Sequence, residues 1–301
     1  MTLANERVAY FNGRIVPESD VLISFRDRGF LYGDAVFDMT RSFDGRPFRL
    51  PEHIERLYRS LRYVGIDPGI SPEKMIAISE EVLERNRHLL GPGEDYWIGQ
   101  RISRGLKSGG APTVIVECSP LPLKERARLF RDGIDVIVPS VRRTPPDAFS
   151  PRVKSHNYLN LVMAEREVHA RDPEAWAVLL DVNGNLCEGL GSNIFIVRDG
   201  KVLTPKERYV LAGISRRTVM ELARAEGLAV EEADLDLYDA TTADEVFLTS
   251  TSLCLCGVRS VNGTKIGAGD PPGPVTKRLT DAYVRLVGCD FVRQYLAKLD
   301  A

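Results

Sequence analysis

Cysteine is scarce and scattered in this sequence. Cys118, Cys187, Cys254, Cys256 and Cys289 are five among 301 residues. The odd count, without the spacing of a secreted disulfide framework, leads us to expect free thiols in a reducing compartment. Cys254 and Cys256 are too close for the usual zinc pairs. On a strand both sulfurs would point to one face as small core residues. Histidine is scarcer still, and His53, His88, His156 and His169 form no metal pattern. No metal is expected. Neither sign of charge is in excess: 40 Lys and Arg against 42 Asp and Glu leave a formal net charge of -2. That balance offers no basic surface for nucleic acid and no acidic tail. No apolar run approaches the ~20 residues of a membrane helix. Residues 1–10 carry charge and no apolar run, so no signal peptide is expected. By elimination the protein is expected in the cytoplasm, with no membrane and no nucleic-acid partner.

What is there suits an ordinary globular protein, with 44% hydrophobic and 27% charged residues. The length suggests two domains. We expect a small N-terminal domain over 1–119, a linker over 120–130 around Pro120-Leu121-Pro122-Leu123, and a large domain over 131–301. In the first part Asn12-Gly13 marks a hairpin. Residues 28–34 read as a loop with two glycines, and 35–43 as a strand. Ile54, Leu57, Tyr58 and Leu61 stripe a helix. A second helix spans 72–90, and strands follow at 96–103 and 113–117. Strands with two helices make an α+β pattern. The second part alternates strands (134–138, 175–181, 192–197, 245–250, 255–260) with helices over 157–170, 216–225 and 276–287.

Four features could serve one chemistry. Lys154 stands between a turn-rich stretch and a helix. A lysine there is most simply a solvated surface residue, or it is an amine aimed for covalent catalysis. Glu188 precedes Gly189-Leu190-Gly191, where glycines leave room beside a flat ring. It is either a turn glutamate or a carboxylate for a ring nitrogen. Gly213-Ile214-Ser215 opens a helix, whose free N–H groups attract a phosphate and whose Ser215 hydroxyl could add a bond, unless the serine is a simple cap. Arg56 lies beside an apolar helix stripe and either clamps the same phosphate or joins Arg59 and Arg62 on a solvated face. Tyr158, one helical turn beyond Lys154, is a core tyrosine or a partner for a phenolate oxygen. Thr249-Ser250-Thr251-Ser252 ends a strand with hydroxyls, as a turn or a ligand-binding edge.

Together these motifs resemble the class IV, fold type IV, pyridoxal 5′-phosphate aminotransferases. That family includes branched-chain, D-amino acid and (R)-amine transaminases and the aminodeoxychorismate lyases. The resemblance runs from Arg28-Gly29-Phe30-Leu31-Tyr32-Gly33-Asp34 through His53-Ile54-Glu55-Arg56-Leu57 and Lys154-Ser155-His156-Asn157-Tyr158. It continues through Glu188-Gly189-Leu190-Gly191-Ser192-Asn193, Leu211-Ala212-Gly213-Ile214-Ser215 and Phe247-Leu248-Thr249-Ser250-Thr251-Ser252. It implies a small α/β domain and a larger one with a β-barrel-like core flanked by helices. It also implies a homodimer that moves an amino group from an amino donor to a 2-oxo acid by ping-pong kinetics. Lys154 would be the Schiff-base lysine and proton shuttle, and Glu188 and Tyr158 would meet the ring. Arg56, Leu211, Gly213, Ile214, Ser215 and Thr251 would complete the cofactor site. Tyr32, Phe37, Arg104 and Ser252 would face the substrate.

The substrate motifs are mixed. Branched-chain members carry Tyr-x-Arg where Trp97-Ile98-Gly99 stands, and Glu-Gly where Asp38-Met39 stands. D-amino acid members carry Thr-Arg-Gly, which Ser103-Arg104-Gly105 resembles, although they have tyrosine at the place of Phe37. The expectation is a D-amino acid or (R)-amine transaminase with possible branched-chain activity. A branched-chain enzyme proper and a lyase are the alternatives.

Overall fold

The computed structural model describes residues 7–299, so much of the stretch behind the signal-peptide expectation lies outside the described residues. Val8–Phe11 (β1) and Arg14–Pro17 (β2) pair antiparallel around Asn12 and Gly13, whose φ angles of 47° and 96° suit a tight hairpin. After Arg28–Tyr32 (α1) come Ala35–Phe43 (β3), Arg46–Pro47 (β4), Leu50–Val64 (α2) and Pro72–Asn86 (α3). Tyr96–Ser103 (β5) and Thr113–Pro120 (β6) complete an antiparallel six-stranded sheet, ordered β2-β1-β6-β5-β3-β4.

Alternation along β3 gives the sheet two different faces. Val36, Asp38 and Thr40 turn to α2, where Ile54, Leu57 and Leu61 are buried. Phe37 and Met39 turn the other way, directly opposite Arg101 and Gly99 of β5.

The stretch over 28–34 is helix α1 and not the expected loop, because Asp27 caps it. Its Oδ1 accepts the Gly29 N–H at 2.7 Å, and Gly33 ends the helix at φ 67°. Asp27 Oδ2 also accepts the hydroxyls of Ser103 at 2.8 Å and Thr113 at 2.7 Å, so one buried carboxylate joins α1 to two strands.

The chain divides into two compact units. The first runs to Leu121 and takes back Val153–Asn157; the second holds Pro122–Arg152 and the chain from Tyr158. The second unit starts with Leu123–Asp132 (α4), Ile134–Ile137 (β7), Leu159–His169 (α5) and Trp176–Ala177 (β8). Asn193–Arg198 (β9), Lys201–Pro205 (β10), Ile214–Ala225 (α6), Val230–Ala233 (β11) and Leu237–Thr241 (α7) follow. Glu245–Ser250 (β12), Cys254–Val261 (β13), Thr264–Lys265 (β14), Pro274–Val287 (α8) and Phe291–Leu296 (α9) complete it. A mixed eight-stranded sheet, ordered β11-β10-β9-β12-β13-β7-β8 with β14 on β13, forms the core of this unit, with helices packed against it, in keeping with the expected fold class.

Two boundaries differ from the expectation. Residues 120–130 are largely α4, not a linker. Leu123 and Ala127 are buried, and Phe130 stacks on Tyr295 at 4.4 Å, which anchors the helix despite its proline-rich start. The lysine stretch, placed by sequence inside 131–301, belongs with the first unit because its backbone is hydrogen-bonded to β3. Cys254 and Cys256 are buried two apart on β13, hence on one face. The five cysteines are free thiols. Among the described residues no helix is long and apolar enough to cross a membrane, and no group of metal-ligating side chains occurs.

Asp27→Ala should lower the unfolding free energy by about 2 kcal/mol, since it removes a cap and leaves two inward hydroxyls without an acceptor. Urea denaturation followed by tryptophan fluorescence measures this. A change below about 0.5 kcal/mol would contradict the role given to Asp27.

Candidate active site

Lys154 is fixed through its main chain. Its N–H donates to Ser60 Oγ of α2 at 3.2 Å, and its carbonyl accepts the Phe37 N–H of β3 at 2.9 Å. Ser155 bridges Val36 antiparallel, and the His156 N–H donates to the Ala35 carbonyl at 2.9 Å. Residues 153–157 thus add an extended segment to β3, not a turn of helix. Tyr158 precedes α5 as its cap residue, so the helical spacing expected between Lys154 and Tyr158 does not exist. The Lys154 Nζ lies 4.5 Å from the centre of the Phe37 ring, a cation held over an aromatic face.

Arg56 is not on a solvated face. It is 4% exposed, and its Nε and Nη2 donate to Asp38 Oδ2 and Oδ1 at 2.8 and 2.7 Å. His53 Nδ1 lies 2.7 Å from the same Oδ1. Burial alone would raise the Asp38 pKa, but the charge of Arg56 and the hydrogen bonds from His53 and Arg56 outweigh it and hold the carboxyl well below its usual range. Burial, joined by the charges of Arg56 and Lys154, pushes His53 below its ordinary value despite Asp38. A neutral His53 donates from Nδ1 to the carboxylate.

Arg104 is engaged differently from the carboxylate-binding role expected of it. Its Nε and Nη2 pair with Asp34 at 2.7 and 3.2 Å, and its Nη1 and Nη2 donate to the Gly65 and Val64 carbonyls at 2.8 and 2.6 Å. The guanidinium ties the end of β5 to the C-terminus of α2. Burial works to raise the Asp34 pKa, yet Arg104 and Arg28 hold it below the ordinary value. Tyr32 is half exposed on α1, with the Arg28 guanidinium 5.5 Å from its ring.

In the second unit Glu188 is 5% exposed and held at both oxygens. Arg143 Nε donates to Oε1 at 2.9 Å, and the Leu211 N–H donates to Oε2 at 2.8 Å. Each carboxylate oxygen keeps a further lone pair. The Leu211 carbonyl accepts Asn193 Nδ2 at 3.1 Å, and Asn193 Oδ1 lies 2.2 Å from where a Cβ on Gly213 would be. A Cβ there would push the Asn193 amide aside. These contacts join the Glu188 turn to the start of α6.

Helix α6 begins without a side-chain cap and without an acidic residue in its first turn. The Ser215 hydroxyl does not point its proton toward a ligand, as sequence suggested, but donates it to the Ser250 carbonyl at 2.9 Å. That bond sets α6 beside the strand end that carries Thr251. Ser252 is buried, with its hydroxyl bonded to Arg126 and its carbonyl to the Tyr295 hydroxyl at 2.9 Å.

Asp38, Arg143 and His156 were missed by sequence reasoning. Asp38 had a signal: a carboxylate in the middle of a strand, between Phe37 and Met39, needing a partner if buried. Arg143 had none, being 45 residues from Glu188.

The described residues fit a phosphorylated pyridine. The uncapped α6 leaves the Ile214 and Ser215 N–H groups without intrahelical acceptors, which favours an anion. Gly191 has open space where a Cβ would stand, and the neighbouring Ser192 Oγ is buried with no hydrogen-bond partner among the described residues.

Comparison with known proteins agrees. The amino-transferase class IV family profile matches residues 35–261. A putative branched-chain-amino-acid aminotransferase of Methanocaldococcus jannaschii is 39% identical over 282 residues, covering 91% of this chain and 94% of its own. The D-alanine aminotransferase of Bacillus licheniformis is 30% identical over 278 residues, covering 90% and 94%. The crystal structure of Escherichia coli branched-chain amino acid aminotransferase superposes with a TM-score of 0.86 at 30% identity, covering 94% of this chain and 95% of that one.

Two outcomes follow from the buried charges. Asp38→Ala strands the Arg56 guanidinium and should destabilise by about 3–5 kcal/mol, read by urea denaturation. For His156, burial and the charge of Arg101 lower the pKa from 6.5 to about 4. Between those values the unfolded chain binds the proton and the folded chain does not, so stability falls as pH drops from 6.5 toward 4. Asp34 and Asp38 act only below that window, and His53 adds to the slope with the same sign. His156→Gln should flatten the slope of unfolding free energy against pH there. An unchanged slope would refute the assignment.

Proposed function

The chain belongs to the class IV aminotransferases, and we propose that it moves the amino group of an amino acid with an apolar, branched side chain to a 2-oxo acid. Pyridoxal 5′-phosphate, when bound, supplies an electron-poor ring that accepts the electron pair left behind as the substrate loses a proton. In this reading Lys154 holds the cofactor covalently, then takes and returns a proton at Nζ. Its main chain is anchored at both N–H and carbonyl, which restricts the arc its amine can sweep. Glu188 would meet the ring nitrogen, with Arg143 and the Leu211 N–H fixing the carboxylate. The Ile214 and Ser215 amides with Gly213 and Thr251 would hold the phosphate, assisted by Arg56. Tyr158 would meet the ring oxygen, and Tyr32, Phe37 and Ser252 the substrate.

One observation carries the choice of donor. The D-amino acid or (R)-amine reading rested on Arg104, and that guanidinium is engaged with Asp34 and two helix-end carbonyls. Similarity to branched-chain enzymes favours the other donor class.

We also propose a homodimer located in the cytoplasm. Leu22, Ile23, Phe25, Phe30 and Leu106 of the first unit expose large apolar side chains, which supports a face covered by a second copy. The free thiols support a reducing compartment.

With 2-oxoglutarate as acceptor, L-leucine should exceed D-alanine and (R)-1-phenylethylamine in kcat/KM. A preference for D-alanine would overturn the donor assignment, and pyruvate release without an acceptor would point to a lyase. Borohydride reduction of the holoenzyme should leave a cofactor mass on the wild-type chain and none on Lys154→Ala. Glu188→Gln should keep that mass and lower kcat by about 100-fold or more.

A further inference from the structure

We propose that Arg101 takes a carboxylate of the substrate acid, together with the ring of His156; this rests on the aminotransferase reading above. Arg101 stands directly opposite Phe37 across the β3–β5 pair, on the sheet face turned away from α2. Its guanidinium carbon lies 5.5 Å from the centre of the Phe37 ring, and Lys154 Nζ lies 4.5 Å from the same centre. One aromatic ring is therefore flanked by the amine and by a guanidinium. A ligand lying against that ring meets both groups.

Arg101 also keeps donor capacity. Among the described residues its one hydrogen bond is from Nη2 to Glu117 Oε1, at a long 3.3 Å, and its side chain is 38% exposed. Nε and Nη1 remain to grip a carboxylate. Arg104, three residues on, has four of its five N–H donors committed to Asp34, Gly65 and Val64. Glu117 is itself placed by a missing side chain: its Oε1 lies 2.3 Å from where a Cβ on Gly99 would be, and its Oε2 accepts the Ser119 hydroxyl at 2.8 Å. Gly99 is the position at which the branched-chain pattern carries arginine. Arg101, two residues further along the strand, returns a cation to the same face.

The second, independent observation is His156. Its ring packs edge-on against Phe37 at 5.3 Å, and its Nε2 is buried with no hydrogen-bond partner among the described residues. A buried nitrogen without a partner is unfavourable unless a ligand meets it. As the neutral tautomer protonated at Nε2, His156 donates to the carboxylate that Arg101 holds.

The test uses the holoenzyme. Arg101→Gln should raise KM for 2-oxoglutarate roughly 10- to 100-fold with kcat changed less than about threefold. It should weaken the binding of glutarate, an unreactive diacid, by a similar factor in calorimetry. In single turnovers without an acceptor, an amino-acid donor should lose more affinity than an amine donor that lacks a carboxylate, and Arg101→Lys should recover part of the loss. If KM for pyruvate rises in step, the carboxylate read is the one beside the reacting carbon. If only 2-oxoglutarate is affected, it is the distal one. Unaltered KM for both acids and unaltered glutarate binding would overturn the proposal, while wild-type enzyme inert toward every donor would overturn the aminotransferase reading instead.

Discussion

The two hydrogen bonds that hold the Lys154 backbone govern the geometry of the first unit around it. Ser60 Oγ accepts the N–H and the Phe37 N–H meets the carbonyl, so a helix and a strand fix one residue from opposite sides. Ser60 in turn donates to the Arg56 carbonyl, and Arg56 is clamped by Asp38 on the strand. A lysine side chain has four rotatable bonds and sheds much entropy when it is aimed. Fixing its origin leaves only those bonds to be settled by the ligand.

That arrangement depends on buried charge. Asp38, Arg56 and His53 sit where the neighbouring positions are apolar, and the ion pair persists because its hydrogen bonds satisfy both partners. In the second unit Glu188 and Arg143 repeat the pattern, with the Leu211 amide as third member. In each unit a candidate cofactor residue is oriented by a partner outside the motif that drew attention to it.

How much was legible follows from this. The strand over 35–43 and the helix stripe through Ile54, Leu57 and Leu61 are local patterns of period two and 3.6, and both elements form there. Helix α1 was missed because its cap, Asp27, lies just before the stretch and carries no hydrophobic period. Helix α4 was missed because Pro120-Leu121-Pro122 reads as a break, whereas Pro122 only precedes the helix. Around the candidate site, the residues in short motifs could be picked out by spacing: Lys154, Glu188, Gly213. Their partners could not, because Asp38 meets Arg56 and Arg143 meets Glu188 only after folding. Arg104 shows the converse. Its motif suggested a ligand contact, and its guanidinium is instead held by residues at 34, 64 and 65 that the motif does not contain.

The excursion of Val153–Asn157 into the first unit has a kinetic consequence. Their flanking residues belong to the second unit, so five residues tether the Lys154 amine to β3 and α2 of the first. Should β3 and α2 loosen under heat or denaturant, the amine loses its moorings while the Glu188 turn and the α6 terminus stay folded. With Lys154 in its proposed role, inactivation would then outrun global unfolding, and refolding of that short tether would govern the return of turnover.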